Sequence, residues 1–301
     1  MSAVSPPARP LSWYRVPGLL MHTVASDFRY YERSADRPRR IRGAWAAADA
    51  PVFIVGAPRS GTTFVGACIG QLPEVSYHFE PVATKAFAPY LAEEGPALWR
   101  RRYRWVYAGL VAMHCDGGLR FVEKTPRNAL VVPQLADMFP RSRFLHLIRD
   151  GRDVAVSWSE KPWLREGRRR KYEPGGYRYG DHPRMWTEPD RLEDYLAYGP
   201  ARRAAWGWRR MVSAARSAGQ DLGPDRYIEL RYEDVALSPE RSAFAVARLL
   251  GLMEPAAVQL SDAFASMRHT SIGRWRADLS ESELSEVMDE IGGLLAETGY
   301  M

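Results

Sequence analysis

The sequence predicts an α/β fold in which a central parallel sheet carries helices on both faces. Three observations predict it. Short apolar runs rich in β-branched residues alternate with stretches of helical periodicity from residue 51 onward. No long hairpin signal joins one strand run to the next. Two of the strand-to-helix junctions, at 56–63 and 149–157, combine glycine with arginine and hydroxyl side chains, the geometry in which backbone N–H groups and a helix N-terminus converge on an anion.

The first strand is Val52–Val55, and Gly56, Pro58 and Gly61 punctuate the turn behind it. Phe64, Val65, Cys68, Ile69 and Leu72 then recur at helical spacing. Val75–Phe79 reads as a second strand, ending at Glu80-Pro81. Residues 84–115 read as helical, with Phe87, Tyr90, Leu91, Leu98, Trp105 and Leu110 as the apolar positions. Phe121-Val122 is a brief strand leading into Glu123-Lys124-Thr125-Pro126, and a helix follows over about 128–138. Arg143–Ile148 is the next buried strand and Gly151–Glu160 its helix. Residues 161–200 lack periodicity; they hold six Gly or Pro between Pro162 and Gly180, the cluster Arg168–Lys171, and Tyr172, Tyr177 and Tyr179. They read as an irregular basic insertion of the kind used for lids and binding loops. A helix over about 201–218 carries Trp206 and Trp208, and 226–230 is a strand. Pro239 opens a helix with Ser238 as its N-cap, and the final helix begins after Ser280, where Glu283 completes a capping box.

The 301 residues are expected to divide into an N-terminal extension, 1–50, and a single domain, 51–301. Trp13, Tyr14, Phe28, Tyr30 and Tyr31 make the extension too aromatic for a plain tail, so part of it is expected to pack on the domain. The net charge of +6 suits an anionic ligand, and with four lysines among 42 basic residues arginine carries most of it. Cys68 and Cys115 give neither a disulfide framework nor metal-ligand spacing, and no metal is expected. No apolar run approaches the roughly 18 residues of a transmembrane segment, and no signal-like apolar core opens the chain. A cytoplasmic enzyme of bacterial type is the expectation.

The 56–63 turn nearly fits G-x-x-x-x-G-K-[ST] through Gly56, Gly61 and Thr63, which makes the fold P-loop-like, but position 62 is Thr where nucleotide kinases place lysine. Arg59 is the only cation in the turn. With Ser60, Thr62 and Thr63 it offers a charged fork and three hydroxyls to an oxyanion. The Pro58–Thr63 core, PRSGTT, resembles the 5′-phosphosulfate loop of sulfotransferases, especially their tyrosylprotein and bacterial branch. Those enzymes use 3′-phosphoadenosine 5′-phosphosulfate (PAPS) as co-substrate and release 3′,5′-diphosphoadenosine. The resemblance implies that Arg59, Ser60, Gly61, Thr62 and Thr63 hold the phosphosulfate. Phe64 stands where cytosolic members often place a tryptophan against adenine, and it still supplies an aromatic face.

Arg149 ends the 143–148 strand, where ligands of open α/β sheets bind, and Ser157 lies along the following helix. RDGRDVAVS, residues 149–157, is similar to the 3′-phosphate segment of the same family, which implies Arg149 and Ser157 as its phosphate ligands. Tyr232, in the 227–235 segment, takes the place of a tyrosine near the adenine. Arg268–Arg276 resembles the C-terminal R-K-G-x-x-G-x-W loop that closes over the nucleotide, implying contacts from Arg268, Gly273, Arg274 and Trp275; His269 and Thr270 depart from its Lys and Gly.

Sulfuryl transfer needs stabilisation of developing charge, positioning, and a base for the acceptor proton. Arg59 reaches the phosphosulfate from the loop, and Lys124 in EKTP is placed like the family's lysine beside the transferring group. The histidine of the cytosolic branch is replaced by Pro126. The tyrosylprotein-like branch uses a glutamate after the second strand, which points to Glu80 as base, its pKa expected to be raised in a closing cleft. His78 is the alternative base, and His146 reads as a core histidine. Sugars, lipids, phenolic natural products, peptide tyrosines and other small molecules offer suitable hydroxyls or amines. Nucleic acid is not an expected partner. Two other readings compete. A P-loop nucleotide kinase would use Asp150 as its magnesium carboxylate, and a non-catalytic polyanion or nucleic-acid binder would use Arg168–Lys171 with the neighbouring tyrosines.

Overall fold

Five strands, β1 (Val52–Gly56), β2 (Val75–Phe79), β3 (Arg120–Lys124), β4 (Arg143–Ile148) and β5 (Tyr227–Arg231), pair in parallel throughout, in the spatial order β2–β3–β1–β4–β5. The computed structural model describes residues 48–81, 97–114, 119–161, 186–267 and 269–301, with isolated positions at 17, 18, 21, 84, 85, 88 and 91. The Arg168–Lys171 cluster, most of the N-terminal extension, and Arg268 lie outside the described residues.

The central strand is buried over its whole length, and its alternate side chains serve two cores, as a period of two requires. Phe53 and Val55 face one core with Phe144 and Ile148. That layer is built from α2 (Ala97–His114), α3 (Val132–Met138), α4 (Gly151–Ser159), α6 (Pro200–Leu222) and α11 (Glu281–Glu297). Val52 and Ile54 face the other core with Leu145 and Leu147. It is covered by α1 (Thr62–Ile69), α7 (Tyr232–Leu237), α8 (Pro239–Leu250) and α9 (Glu254–Ala265), with Cys68 buried among them. Short helices α5 (Leu192–Ala197) and α10 (Trp275–Asp278) complete the described set. This is the three-layer, P-loop-like α/β architecture that the alternation of strands and helices predicts. The rings of Phe53 and Phe144 stack at 5.4 Å across β1 and β4, and Trp158, Trp186, Trp206 and Trp208 are fully buried in the first layer.

Several boundaries differ from expectation. α5 lies inside the stretch read as irregular up to residue 200; at six residues it is too short to show a period. The helix expected over 128–138 is a 3-10 turn, Pro126–Val131, followed by α3. α7 and α9 have no counterpart in the predicted elements. α9 buries Ala256, Ala257, Leu260 and Phe264 and has Pro in its first turn, a signal that small alanine side chains make faint. Ser238 occupies the N-cap position of α8 without forming a side-chain cap, whereas the Ser280–Glu283 capping box is present. Among the described residues no helix is long and apolar enough to cross a membrane.

The parallel register brings the strand ends together. Ile54 pairs with Lys124, Gly56 with Leu147, Phe79 with Lys124 and Ile148 with Arg231. The chain therefore leaves β1, β2, β3, β4 and β5 along one edge, the edge where open α/β sheets bind ligands. Below that edge, Glu123 is fully buried, and its Oε1 accepts hydrogen bonds from Thr125 Oγ1 (2.8 Å), Thr84 Oγ1 (3.1 Å) and Asn128 Nδ2 (3.2 Å). These bonds gather the segment after β3 around one carboxyl. Burial raises its pKa to about 7 despite them.

Two outcomes follow from this packing. Gly56 has φ 146°, and an added Cβ would lie 2.3 Å from the Leu147 carbonyl oxygen. Gly56→Ala should cost about 3 kcal/mol or more in urea denaturation, whereas Gly293→Ala in α11, where the backbone is helical and no atom lies within 4 Å, should cost nothing. The Glu123 carboxyl titrates higher in the folded chain than in the unfolded one, where its pKa is about 4.3. Its contribution to stability is therefore complete below about pH 4 and is lost as pH rises through about 7. Denaturation at pH 5 and pH 8 should show Glu123→Gln gaining on the wild type as pH rises, because the amide has no proton to lose.

Candidate active site

Left-handed backbone shapes the turn after β1. Gly61 has φ 86°, and a Cβ there would meet the Tyr232 ring at 2.5 Å, so the turn needs glycine both for its conformation and for its contact with α7. Ser60 N–H donates to Ala57 O at 3.2 Å, and Val65 N–H to Gly61 O at 3.1 Å starts α1. Thr62 is buried in the first turn of that helix, Thr63 is exposed, and Phe64 packs half-buried against the second core. Among the described residues only Arg59 (φ 76°) and Glu80 (φ 41°) are non-glycine residues in the left-handed region. Such strain concentrates at functional sites.

The two predicted phosphate segments meet. Arg59 Nε donates to Ser157 Oγ at 2.9 Å. Arg149 Nη1 donates to the Arg59 carbonyl at 3.2 Å, and its Nη2 donates to the Ser271 carbonyl. The Arg149 guanidinium lies 4.5 Å from the centre of the Tyr232 ring, whose hydroxyl shares a 2.8 Å hydrogen bond with Ser271 Oγ. Burial and the nearby Arg149 charge lower the pKa of Arg59. Ser60 Oγ and Arg149 Nε are buried without a hydrogen-bond partner. Unsatisfied buried donors of this kind, beside two guanidinium groups, fit an anion.

Across the turn stands a second charged group. Lys124, 1% exposed, donates to Glu80 Oε1 at 2.9 Å and to Thr63 Oγ1 at 3.2 Å, and its Nζ lies 3.7 Å from the centre of the Phe79 ring. Lys85 takes the other Glu80 oxygen at 2.9 Å. The expectation of a raised Glu80 pKa is corrected here. Burial pushes it up, but Lys85, Lys124 and Arg127 outweigh burial and hold it at about 2. Burial lowers the pKa of Lys124 in turn, with Glu80 opposing.

His78 is fully buried in β2, bonded through Nε2 to Ser76 Oγ (2.9 Å) and stacked on Phe121 at 4.3 Å. His146 is a buried histidine of the sheet, its Nδ1 bonded to Tyr227 OH at 2.7 Å. Asp150, the carboxylate required by the kinase reading, is engaged in capping α4 through Arg152 N–H (2.9 Å) and in pairing with the Arg152 side chain (2.8 Å).

The C-terminal loop reaches this edge through Ser271, Gly273 and Trp275. The guanidinium groups of Arg152 and Arg276 lie 4.1 Å and 4.5 Å from the centre of the Trp275 ring, so arginines occupy its surroundings. Arg274 turns outward to Asp278 and Glu160, with no contact to the other predicted ligands. Asp153 is not among the predicted site residues, yet its buried carboxylate accepts N–H bonds from Gly273 (2.7 Å) and Trp275 (3.0 Å). The available signal was its position four residues after Arg149, on the same face of α4.

The model of the sulfotransferase family matches residues 87–255, more than half of the chain. A putative protein-tyrosine sulfotransferase of Caenorhabditis briggsae is 24% identical over 220 residues, covering 67% of this chain and 65% of that protein. Protein-tyrosine sulfotransferase 2 of Gallus gallus is 25% identical over 219 residues, 67% of this chain and 51% of that protein. The chain thus spans about half to two thirds of the length of these curated relatives. Sulfotransferase STF9 from Mycobacterium avium has the same fold, with a TM-score of 0.52 and 14% identity over 99% of this chain and 87% of that one. With the family's model matching more than half of the chain, and the PRSGTT and RDGRDVAVS segments meeting at one sheet edge, the chain belongs to the sulfotransferase family.

Proposed function

We propose that the enzyme transfers the sulfuryl group of PAPS to a hydroxyl or amine of its acceptor, with Glu80 taking the acceptor's proton. The observation that carries this reading is the Arg59–Ser157 contact of 2.9 Å, which joins a loop suited to a phosphosulfate to a segment suited to a 3′-phosphate. The buried, unpartnered Ser60 Oγ and Arg149 Nε support the fit. PAPS would supply the sulfuryl group and a leaving phosphate that gains charge during transfer.

Arg59, Ser60 and the N–H groups of Gly61, Thr62 and Thr63 hold the 5′ end, Arg149 and Ser157 the 3′-phosphate, and Tyr232 the base. Arg59 and Lys124 stabilise the charge that grows on the leaving oxygen. Lys124 also sets the base. While it and Lys85 both hold Glu80, the carboxylate is too weak a base to take a proton readily. Redirecting the Lys124 N–H bonds toward an anionic donor leaves Glu80 with Lys85 as its ion-pair partner and raises its proton affinity. The acceptor proton then goes to the oxygen that Lys124 vacates. The relatives' names point to a tyrosine phenol as the first acceptor class to test, since a phenol, with pKa about 10, loses its proton more readily than an alcohol.

Calorimetry tests the nucleotide side. Arg149→Ala should weaken 3′,5′-diphosphoadenosine at least about tenfold more than adenosine 5′-phosphate, since a lost charge-assisted bond is worth about 1.5–3 kcal/mol. Equal losses for both ligands remove the assignment. On the acceptor side, Glu80→Gln should bind nucleotide normally and lose transfer by about 10²-fold or more. Rates measured with labelled PAPS and a series of phenols should show the defect shrinking as the phenol becomes more acidic. A Glu80→Gln enzyme with wild-type turnover on the least acidic phenol excludes Glu80 as the base.

A further inference from the structure

We infer that Asp153 is a positioning residue: its buried carboxylate clamps the 269–276 loop to the sheet edge and makes retention of the nucleotide depend on that clamp. The functional half of the inference rests on the PAPS reading above; the clamp itself does not.

Each carboxylate oxygen holds one point of the loop. Oδ2 accepts from Gly273 N–H at 2.7 Å and Oδ1 from Trp275 N–H at 3.0 Å, and the side chain is fully buried. Little else holds this stretch by apolar burial. Residues 269–276 are half-buried or exposed, and only Ile272 among them packs against a core. The other fastenings are polar or stacking contacts, namely Arg149 to the Ser271 carbonyl, Tyr232 OH to Ser271 Oγ at 2.8 Å, Arg152 on the Trp275 ring at 4.1 Å, and the half-exposed Arg274–Glu160 ion pair at 3.0 Å.

Asp153 also connects the loop to the phosphate ligands. Arg149 Nη2 lies 3.6 Å from Asp153 Oδ2, and the same nitrogen donates to Ser271. The carboxylate therefore balances the arginine charge while it binds the loop that this arginine touches. The geometry requires two acceptors. Asparagine offers one acceptor and one donor, so one loop N–H would face another N–H. Because the clamp acts on nucleotide already in the ground state, its loss should raise KM for the donor more than it lowers kcat.

Hydrogen–deuterium exchange on the full chain, resolved at the Gly273 and Trp275 amides, tests the clamp without any ligand. Wild-type amides there should exchange at least about tenfold more slowly than unprotected ones. Asp153→Asn keeps a single acceptor oxygen, so at least one of the two amides should lose that protection while Val287, Ile291 and Leu295 of α11 keep theirs, and KM for PAPS should rise about tenfold or more with a smaller effect on kcat. Unprotected amides in the wild type overturn the inference, as does a variant that loses protection with KM unchanged. Should Asp153→Asn fail to fold, the wild type decides. Saturating 3′,5′-diphosphoadenosine must slow exchange at Gly273 and Trp275 further, and no change overturns the coupling. If the wild type does not bind 3′,5′-diphosphoadenosine, it is the PAPS reading that fails, and the exchange of the ligand-free protein still reports on the clamp.

Discussion

Gly56 ends β1 with its α-carbon pressed against the Leu147 carbonyl, and this close approach sets the position of everything at the sheet edge. With β4 on one side and β3 on the other, both parallel to it, β1 delivers its turn between Arg149 and Lys124. A side chain at position 56 would push β4 away and with it the start of α4, which carries Ser157 and Asp153. The aromatic packing of Phe53 on Phe144 holds the same two strands together from the first core. The separation of Arg59 from Arg149 and Ser157 is thus set by backbone contact within the sheet.

The electrostatics of the edge follow from its burial. Arg149 and Lys124 are almost fully buried, yet both stay in contact with oxygen acceptors: the loop carbonyls for Arg149, Glu80 and Thr63 for Lys124. Removing cations from water is expensive unless such partners are present, and it makes them respond strongly to any further anion. Glu80 and Asp153 divide this field between them. Glu80 sits at the more open end with two lysines, and Asp153 lies behind Arg149, where its oxygens are fully engaged by the C-terminal loop.

Much of this arrangement was legible in the residue order. Val52–Val55 and Arg143–Ile148 are apolar runs too short for helices, and the glycines and arginine after each marked the two strand-to-helix junctions that meet at the sheet edge. The PRSGTT and RDGRDVAVS segments meet in the fold, and the contact between Arg59 and Ser157 is the form that their proximity takes. What was hidden depends on residues meeting from separate elements. The low pKa of Glu80 comes from Lys85 and Lys124, and Lys124 arrives from a neighbouring strand. The role of Asp153 depends on backbone N–H groups 120 and 122 residues away, which no side-chain pattern encodes. α5 and α7 were missed because six residues cannot display a helical period. α9 was missed because alanine weakens the contrast between its faces.

The left-handed backbone at Arg59 and Glu80 has a consequence for how this protein can change. A side chain in that conformation costs about 1–2 kcal/mol that glycine would not incur. At both positions the residue that best suits the fold is therefore different from the one that suits the proposed chemistry. Drift toward greater stability would erode the cleft first, replacing its arginine and its glutamate before touching the core. The cost in stability is concentrated in two residues at the rim of an otherwise well-packed sheet.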